Sequence, residues 1–184
     1  LYTGAAMAYS IELFFNPSLE SRLRRMCNVI RAEIDGAVTV IEDIKSRPHL
    51  SLAVMEGCNV VELSEKVRQL ADRHNAMPVT FSSVGMFPKA EPVFFLAPVV
   101  SPDLLTLHAD LWAHVPRLTR NPWQEYAPGR FVPHCTLMTS VRHEQIGRAS
   151  ALVMENTFPI TGEIVEIGIN EFAPVKPLMT AMLL

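Results

Sequence analysis

The sequence predicts an α+β fold: a bilobal single domain over residues 1–184, built from two duplicated β-α-β-α-β-β units related by a pseudo-two-fold about a central groove. Three observations predict it. Pro48-His49-Leu50-Ser51-Leu52 recurs as Pro133-His134-Cys135-Thr136-Leu137. The same offset carries Asn16-Pro17-Ser18-Leu19 onto Ser101-Pro102-Asp103-Leu104, and Phe87 with Pro92 onto Phe172 with Pro177. Between these landmarks, strand-like and helix-like segments alternate in the same order. One constant register over such a distance marks a diverged tandem repeat, with units at about 9–93 and 94–184.

Each element follows from local pattern. Residues 9–15 are apolar and partly alternating, a strand; Asn16 and Pro17 then supply a cap and a first-turn proline for a helix with the stripe Leu19, Leu23, Met26, Ile30 and Ile34. The first histidine motif opens a strand behind Pro48, a place a strand tolerates proline. A helix follows from Asn59, with Glu62 three residues on in a capping-box-like arrangement and Val60, Leu63, Val67 and Leu70 on one side. Strands at 79–86 and 93–99 close the first unit. Ser101 and Pro102 restart the scheme with a helix whose apolar positions are Leu104, Leu105, Leu111, Trp112 and Val115. The second histidine motif then opens a strand. A helix with Ile146, Ala149 and Val153 and strands at 164–171 and 178–184 complete the second unit.

Composition bounds the function. With 184 residues and 49% hydrophobic content the chain can bury a substantial core without disulfides or structural metal. Cys27, Cys58 and Cys135 are odd in number and widely spaced, which favours buried thiols in a reducing cytoplasm over a disulfide framework or zinc knuckle. A net charge of −3 argues against a broad nucleic-acid surface and leaves room for a small phosphate ligand or an RNA end. No apolar stretch is long enough to span a membrane, and the opening residues lack the basic flank of a secretory leader. Met7 reads as the natural start, with residues 1–6 a remnant ahead of it. No feature points to a protein partner.

The chemistry comes from strand geometry. Residues i and i+2 of a strand project from one face about 6.5–7 Å apart, so His49 and Ser51 point together, as do His134 and Thr136. Two-fold symmetry then sets two imidazoles and two hydroxyls around one ligand. That set suits a phosphodiester, which needs a base for the attacking oxygen, an acid for the leaving oxygen and donors for the non-bridging oxygens. Histidine serves both proton roles because its ordinary pKa of about 6.5 allows either form near neutrality. No metal and no cofactor is required.

These residues carry a resemblance. Two H-x-[S/T]-hydrophobic motifs, one per half, with Val84-Gly85-Met86-Phe87-Pro88 and Val93-Phe94-Phe95-Leu96 after the first, resemble the 2H phosphoesterase superfamily, in particular its 2′-5′ RNA ligase and cyclic phosphodiesterase-like members. The resemblance spans about residues 9–184. It implies a bilobal fold with the motifs in a central groove and metal-independent action on 2′,3′-cyclic or 2′-5′ phosphodiesters of RNA or nucleotides, hydrolysis before ligation. The catalytic residues it implies are His49, Ser51, His134 and Thr136. Ser51 stands where threonine is common, which removes a methyl and keeps the donor.

Residues 117–132 mix Arg117, Arg120, Trp123, Tyr126 and Arg130 among prolines. Beside a phosphate site, Trp123 and Tyr126 suit base stacking and Arg130 suits a flanking phosphate; a solvated loop anchored by its aromatics fits the pattern equally. Phe87 suits either the groove wall or a hairpin core. His74, His108, His114 and His143 have no repeated partner and are read as structural. Two other functions stay open: a module that binds a nucleotide or RNA end in the same groove without turnover, and a metal hydrolase with His49 and His134 as ligands. The last is weakest, because no H-E-x-x-H or carboxylate cluster completes a coordination sphere.

Overall fold

A computed structural model describes residues 8–41, 43–88, 92–139, 141–172 and 174–184. The expected remnant at 1–6 and the start at Met7 lie outside the described residues. β1 (Ala8–Phe15) leads into α1 (Pro17–Glu33), where the Asn16 side chain accepts from the Leu19 N–H at 3.3 Å and satisfies one orphan donor of the first turn. A short β2 (Val38–Thr39) precedes the motif strand β3 (His49–Cys58). α2 (Val60–Ala71) starts from the Asn59 cap, and β4 (Met77–Phe87) pairs with β5 (Val93–Pro98) as a hairpin.

The rest of the chain follows a similar order. Ser101 caps α3 (Pro102–Trp112), accepting from the Leu104 N–H at 3.2 Å. The buried face of α3 is Leu104, Leu107, His108, Leu111 and Trp112, while Leu105 is exposed and Val115 opens a separate α4 (Val115–Leu118). From Leu104 the i+3, i+4, i+7 spacing selects Leu107, His108 and Leu111, and Leu105 falls off that stripe. Residues 117–132 are more ordered than a loop: β6 (Thr119–Pro122) pairs with the distal end of β3, Gly57 opposite Arg120, and a 3-10 turn follows at Gln124–Tyr126. Pairing there covers an edge that β3 would otherwise present to solvent. β7 (Cys135–Thr139), α5 (Ile146–Met154), β8 (Ile160–Phe172) and β9 (Lys176–Met182) complete the chain.

The strands form one antiparallel sheet in the order β2-β7-β5-β4-β8-β1-β3-β6, with β9 paired to β8. One hydrophobic cluster joins Ile11, Leu13 and Phe15 of β1 to the apolar faces of α1, α2, α3 and α5. β3 and β7 stand near opposite flanks of the strand order, yet their Cα atoms come within 8 Å. The sheet therefore curls until the two motif strands meet.

Each half anchors the motif strand of the other. The Cys27 thiol of α1 donates to the Leu137 carbonyl of β7 at 3.6 Å, and the Trp112 indole N–H of α3 donates to the Leu52 carbonyl of β3 at 3.0 Å. Cys27 and Trp112 occupy equivalent positions under the repeat offset, as do Leu52 and Leu137. Both leucines are also the extra residue at a break in register: Ile11 and Glu12 face Ala53 and Ser51, and Phe94 and Phe95 face Met138 and Thr136. A bulge of this kind re-aims the residues beside it, here the histidine and hydroxyl of each motif.

Trp112→Phe keeps one aromatic ring, removes the donor to a buried carbonyl and leaves a small void, so it should lower stability by about 1–3 kcal/mol, read as a lower urea midpoint at unchanged slope.

Candidate active site

In the first motif, Leu50 and Leu52 are buried in the core while His49 and Ser51 are half-buried on the other side. β1 supplies their cross-strand neighbours, Phe14 opposite His49 and Glu12 opposite Ser51. The His49 Nδ1 lies 2.7 Å from the Arg47 carbonyl oxygen and 3.3 Å from the Ser46 hydroxyl. A carbonyl only accepts, so Nδ1 carries the proton and Nε2 is left as the exchanging nitrogen.

Arg47 is itself pinned, 2.7 Å from Glu20, 2.6 Å from Glu166 and 4.1 Å above the Phe14 ring. Burial works against its charge, but the hydrogen bonds to Glu20 and Glu166 outweigh it and lift the guanidinium above its ordinary value. The carbonyl that orients His49 thus belongs to an immobilised residue.

The second motif repeats the device. His134 stands just before β7, and its Nδ1 is 2.7 Å from the Val132 carbonyl oxygen, again two residues upstream. Its surroundings differ. The Phe87 ring meets His134 edge-on at 4.8 Å and 87°, Phe95 lies at 5.3 Å and Tyr126 at 6.4 Å. Opposite Thr136 stands Phe95, where the first motif has Glu12 opposite Ser51.

The motifs touch through Cys135. Its thiol takes a hydrogen bond from the His49 backbone N–H, which couples the residue beside one histidine to the backbone of the other. Burial pushes this thiol far above its ordinary value, the Cys27 thiol adds to that, and the His49 N–H works against it. The half-buried Cys58 thiol is pushed up to about 11 by burial. Neither supplies a thiolate nucleophile near neutrality.

Of the expected ligand contacts, Phe87 and Tyr126 stand beside His134. Trp123 is fixed to β3 by its backbone N–H, 2.8 Å from the Val54 carbonyl, and Arg130 is exposed in the turn that precedes Phe131. Arg117 and Arg120 lie elsewhere, lining a depression with Tyr9 and Asn59 at the distal end of β3. The pairing of β6 with that end carries them away from His49. His74 pairs with Asp110 at 3.0 Å, and His108 stacks on Phe131 at 4.0 Å and meets the Tyr126 carbonyl at 2.8 Å. Among the described residues no three His, Cys, Asp or Glu side chains converge as a metal-binding group. No helix among them is long and apolar enough to cross a membrane.

Sequence reasoning missed Glu12. It is buried in β1, its Oε1 accepts from the Ser10 hydroxyl at 2.6 Å and its Oε2 from the Asn170 amide at 2.7 Å, and Oε1 lies 3.6 Å from His49 Nε2. The one available signal was a carboxylate within a largely apolar strand.

The family model described as the 2′-5′ RNA ligase superfamily matches residues 45–172, more than half of the chain and both motifs. No curated protein sequence matches. Among solved structures the chain is similar to TT0787 of Thermus thermophilus, with a TM-score of 0.66 at 19% identity over 96% of this chain and 97% of that one. It is also similar to a protein described as a phosphoesterase, at 0.64 and 16% over 97% and 98%. E. coli LigT complexed with 3′-AMP aligns at 0.62 and 16% over 97% and 98%.

Two outcomes test this geometry. A Cβ on Gly85 would overlap the Phe95 ring, which rests on His134. Gly85→Ala should cost about 1–3 kcal/mol in urea unfolding and move the His134 ring resonances more than those of His49. Burial lowers the His108 pKa, while the Tyr126 and Leu52 carbonyls pull it up less strongly. An unfolded chain binds more protons there, so stability present above about pH 6.5 is lost as the pH falls below it. His108→Phe should flatten the unfolding free energy measured between about pH 5 and 7.

Proposed function

The chain belongs to the 2′-5′ RNA ligase superfamily, and from that premise we propose that it is a metal-independent phosphoesterase acting on 2′,3′-cyclic or 2′-5′ phosphodiesters of RNA ends or nucleotides. The observation that carries this reading is the matched pair of hydrogen bonds from His49 Nδ1 to the Arg47 carbonyl and from His134 Nδ1 to the Val132 carbonyl. They set both rings in the same tautomer, on strands that approach one another.

Hydrolysis then proceeds by acid and base in concert. One histidine takes a proton from water as its oxygen attacks phosphorus, and the other gives a proton to the ribose oxygen as the P–O bond breaks. Ser51 and Thr136 donate to the non-bridging oxygens, which supplies the charge stabilisation that a metal would otherwise provide. In this reading Phe87 and Tyr126 contact the ligand beside His134, and Trp123 and Arg130 contact the base and a flanking phosphate. Hydrolysis is the forward direction in excess water; ligation is its reverse. The chain acts as one domain over 1–184, made of two diverged repeats, and its two buried thiols, Cys27 and Cys135, fit a reducing cytoplasm, whereas Cys58 is half-buried rather than buried.

A second reading, a nucleotide-binding module without turnover, draws on E. coli LigT, which has been crystallised with 3′-AMP, ATP and NADP+. Turnover separates the two. With a panel of 2′,3′-cyclic nucleotides and 2′-5′ dinucleotides, the enzyme reading expects a phosphomonoester or cyclic product, a bell-shaped pH profile and full activity in EDTA. His49→Ala and His134→Ala should each lower kcat on the order of a hundredfold or more, without loss of fold by circular dichroism. Ligand binding with no product would establish the module; loss of activity to chelator would establish a metal enzyme.

A further inference from the structure

Just upstream of His49 the backbone leaves the sheet. β3 starts at His49, and no ladder pairing extends to Arg47 among the described residues. Lys45 adopts a left-handed φ of 62°, and Pro48 keeps Arg47 extended without choosing where the extended segment lies. The Arg47 carbonyl accepts from His49 Nδ1 at 2.7 Å and from the Ser46 hydroxyl at 3.3 Å. Those are contacts within the segment itself. What fixes the segment to the rest of the fold at this point is the Arg47 side chain.

That side chain is held from three sides. Nε and one terminal nitrogen meet a Glu20 oxygen at 3.1 and 2.7 Å, the other terminal nitrogen meets Glu166 at 2.6 Å, and the guanidinium lies 4.1 Å from the centre of the Phe14 ring. Phe14 of β1 pairs with Glu166 of β8 on one side and with His49 of β3 on the other. The contacts thus run along the row of the sheet that ends in His49. The Glu20 and Glu166 side chains are only 14% and 15% exposed, so solvent ions screen these pairs little.

The repeat offset sets Val132 where Arg47 stands, Leu105 where Glu20 stands and Phe81 where Glu166 stands. All three charges are missing from that register together. The turn before His134 is supported by other means: the Arg130 and Phe131 N–H groups both donate to the Ala127 carbonyl, at 2.9 and 3.0 Å, and the Phe131 ring stacks on His108.

We infer, on the phosphoesterase reading above, that Glu20, Arg47 and Glu166 are a positioning clamp that aims His49 at the phosphorus through the one carbonyl that fixes its ring. Glu20 comes from α1 and Glu166 from β8, so the aim of His49 depends on elements from both ends of the chain. Charge and position make opposite predictions here. Glu166 lies two strand spacings from His49, about 10 Å, where a carboxylate repels an anionic phosphodiester. On charge alone its removal helps binding. As part of a clamp its removal loosens Arg47 and slows the chemical step, since a displacement on the order of 1 Å can cost a hundredfold in rate.

Glu166→Gln and Glu20→Gln, each in the full chain, test this on a 2′,3′-cyclic nucleotide. Each should lower kcat about tenfold at a KM within about threefold of wild type, and move the His49 ring resonances more than those of His134. Arg47→Gln combined with Glu166→Gln should stay within about threefold of Arg47→Gln alone, because the carboxylate acts through the guanidinium. Arg47→Lys keeps the charge but not the planar fork, and should remain at least about threefold below wild type in kcat. An unchanged kcat in both glutamine variants, losses that multiply in the combined variant, or full activity of Arg47→Lys each overturns the clamp and leaves the phosphoesterase standing. Should Arg47→Gln not fold, the two single carboxylate variants decide. Turnover of no phosphodiester by the wild type overturns the phosphoesterase reading instead. The His49 Nδ1 proton then reports on the clamp: slow exchange in wild type and fast exchange in Glu166→Gln is expected, and equal protection in both overturns it.

Discussion

The reciprocal anchoring of the two motif strands is the constraint on which their meeting depends. Trp112 of the second half holds the Leu52 carbonyl of the first, Cys27 of the first half holds the Leu137 carbonyl of the second, and both carbonyls sit at the bulge that aims a histidine and a hydroxyl. Because the donors are crosswise, neither half can set its own motif alone. The Cys135 thiol under the His49 N–H then closes the join. Carbonyls at a bulge lose a ladder partner, and a buried carbonyl left unpaired costs free energy, so side-chain donors from the facing helices satisfy a need that the bulges create. The equivalence of these contacts under one offset supports the view of the chain as two diverged repeats.

The two motifs share one local device and differ in what surrounds it. Both imidazoles are fixed by a carbonyl two residues upstream, which pre-pays the cost of orienting them. Here one ring faces a pinned carboxylate and the other faces Phe87 and Phe95. The hairpin of β4 and β5 delivers both aromatics, and Gly85 lies flat under Phe95 because a side chain there would occupy the same space.

Much of this was legible in the sequence. The caps Asn16, Asn59 and Ser101, the first-turn prolines and the i, i+2 pairing of histidine with hydroxyl act over a few residues, and each appears in the structure where local pattern placed it. The α3 stripe was misread at Leu105 because a run of leucines hides the helical period until the starting residue is known. Arg117 and Arg120, in the segment that precedes His134, stand at the far end of β3, where β6 pairs with its edge. Glu12 drew no notice, because one acid in an apolar strand says nothing about which imidazole lies across from it.

The sequence by itself determined the main helices and strands and the two H-x-[S/T] motifs, which rest on short-range periodicity, capping and repetition at one offset, but not the short strands Val38–Thr39 and Thr119–Pro122 or the helix Val115–Leu118. Only the tertiary structure decided that β8 inserts between β1 and β4, that α1 and α3 each brace the opposite motif strand, and that a carboxylate lies near His49 while a phenyl ring lies beside His134. Strand partners and register are chosen by burying one shared core at the lowest cost in unpaired backbone, a condition on the whole chain at once that no local window contains.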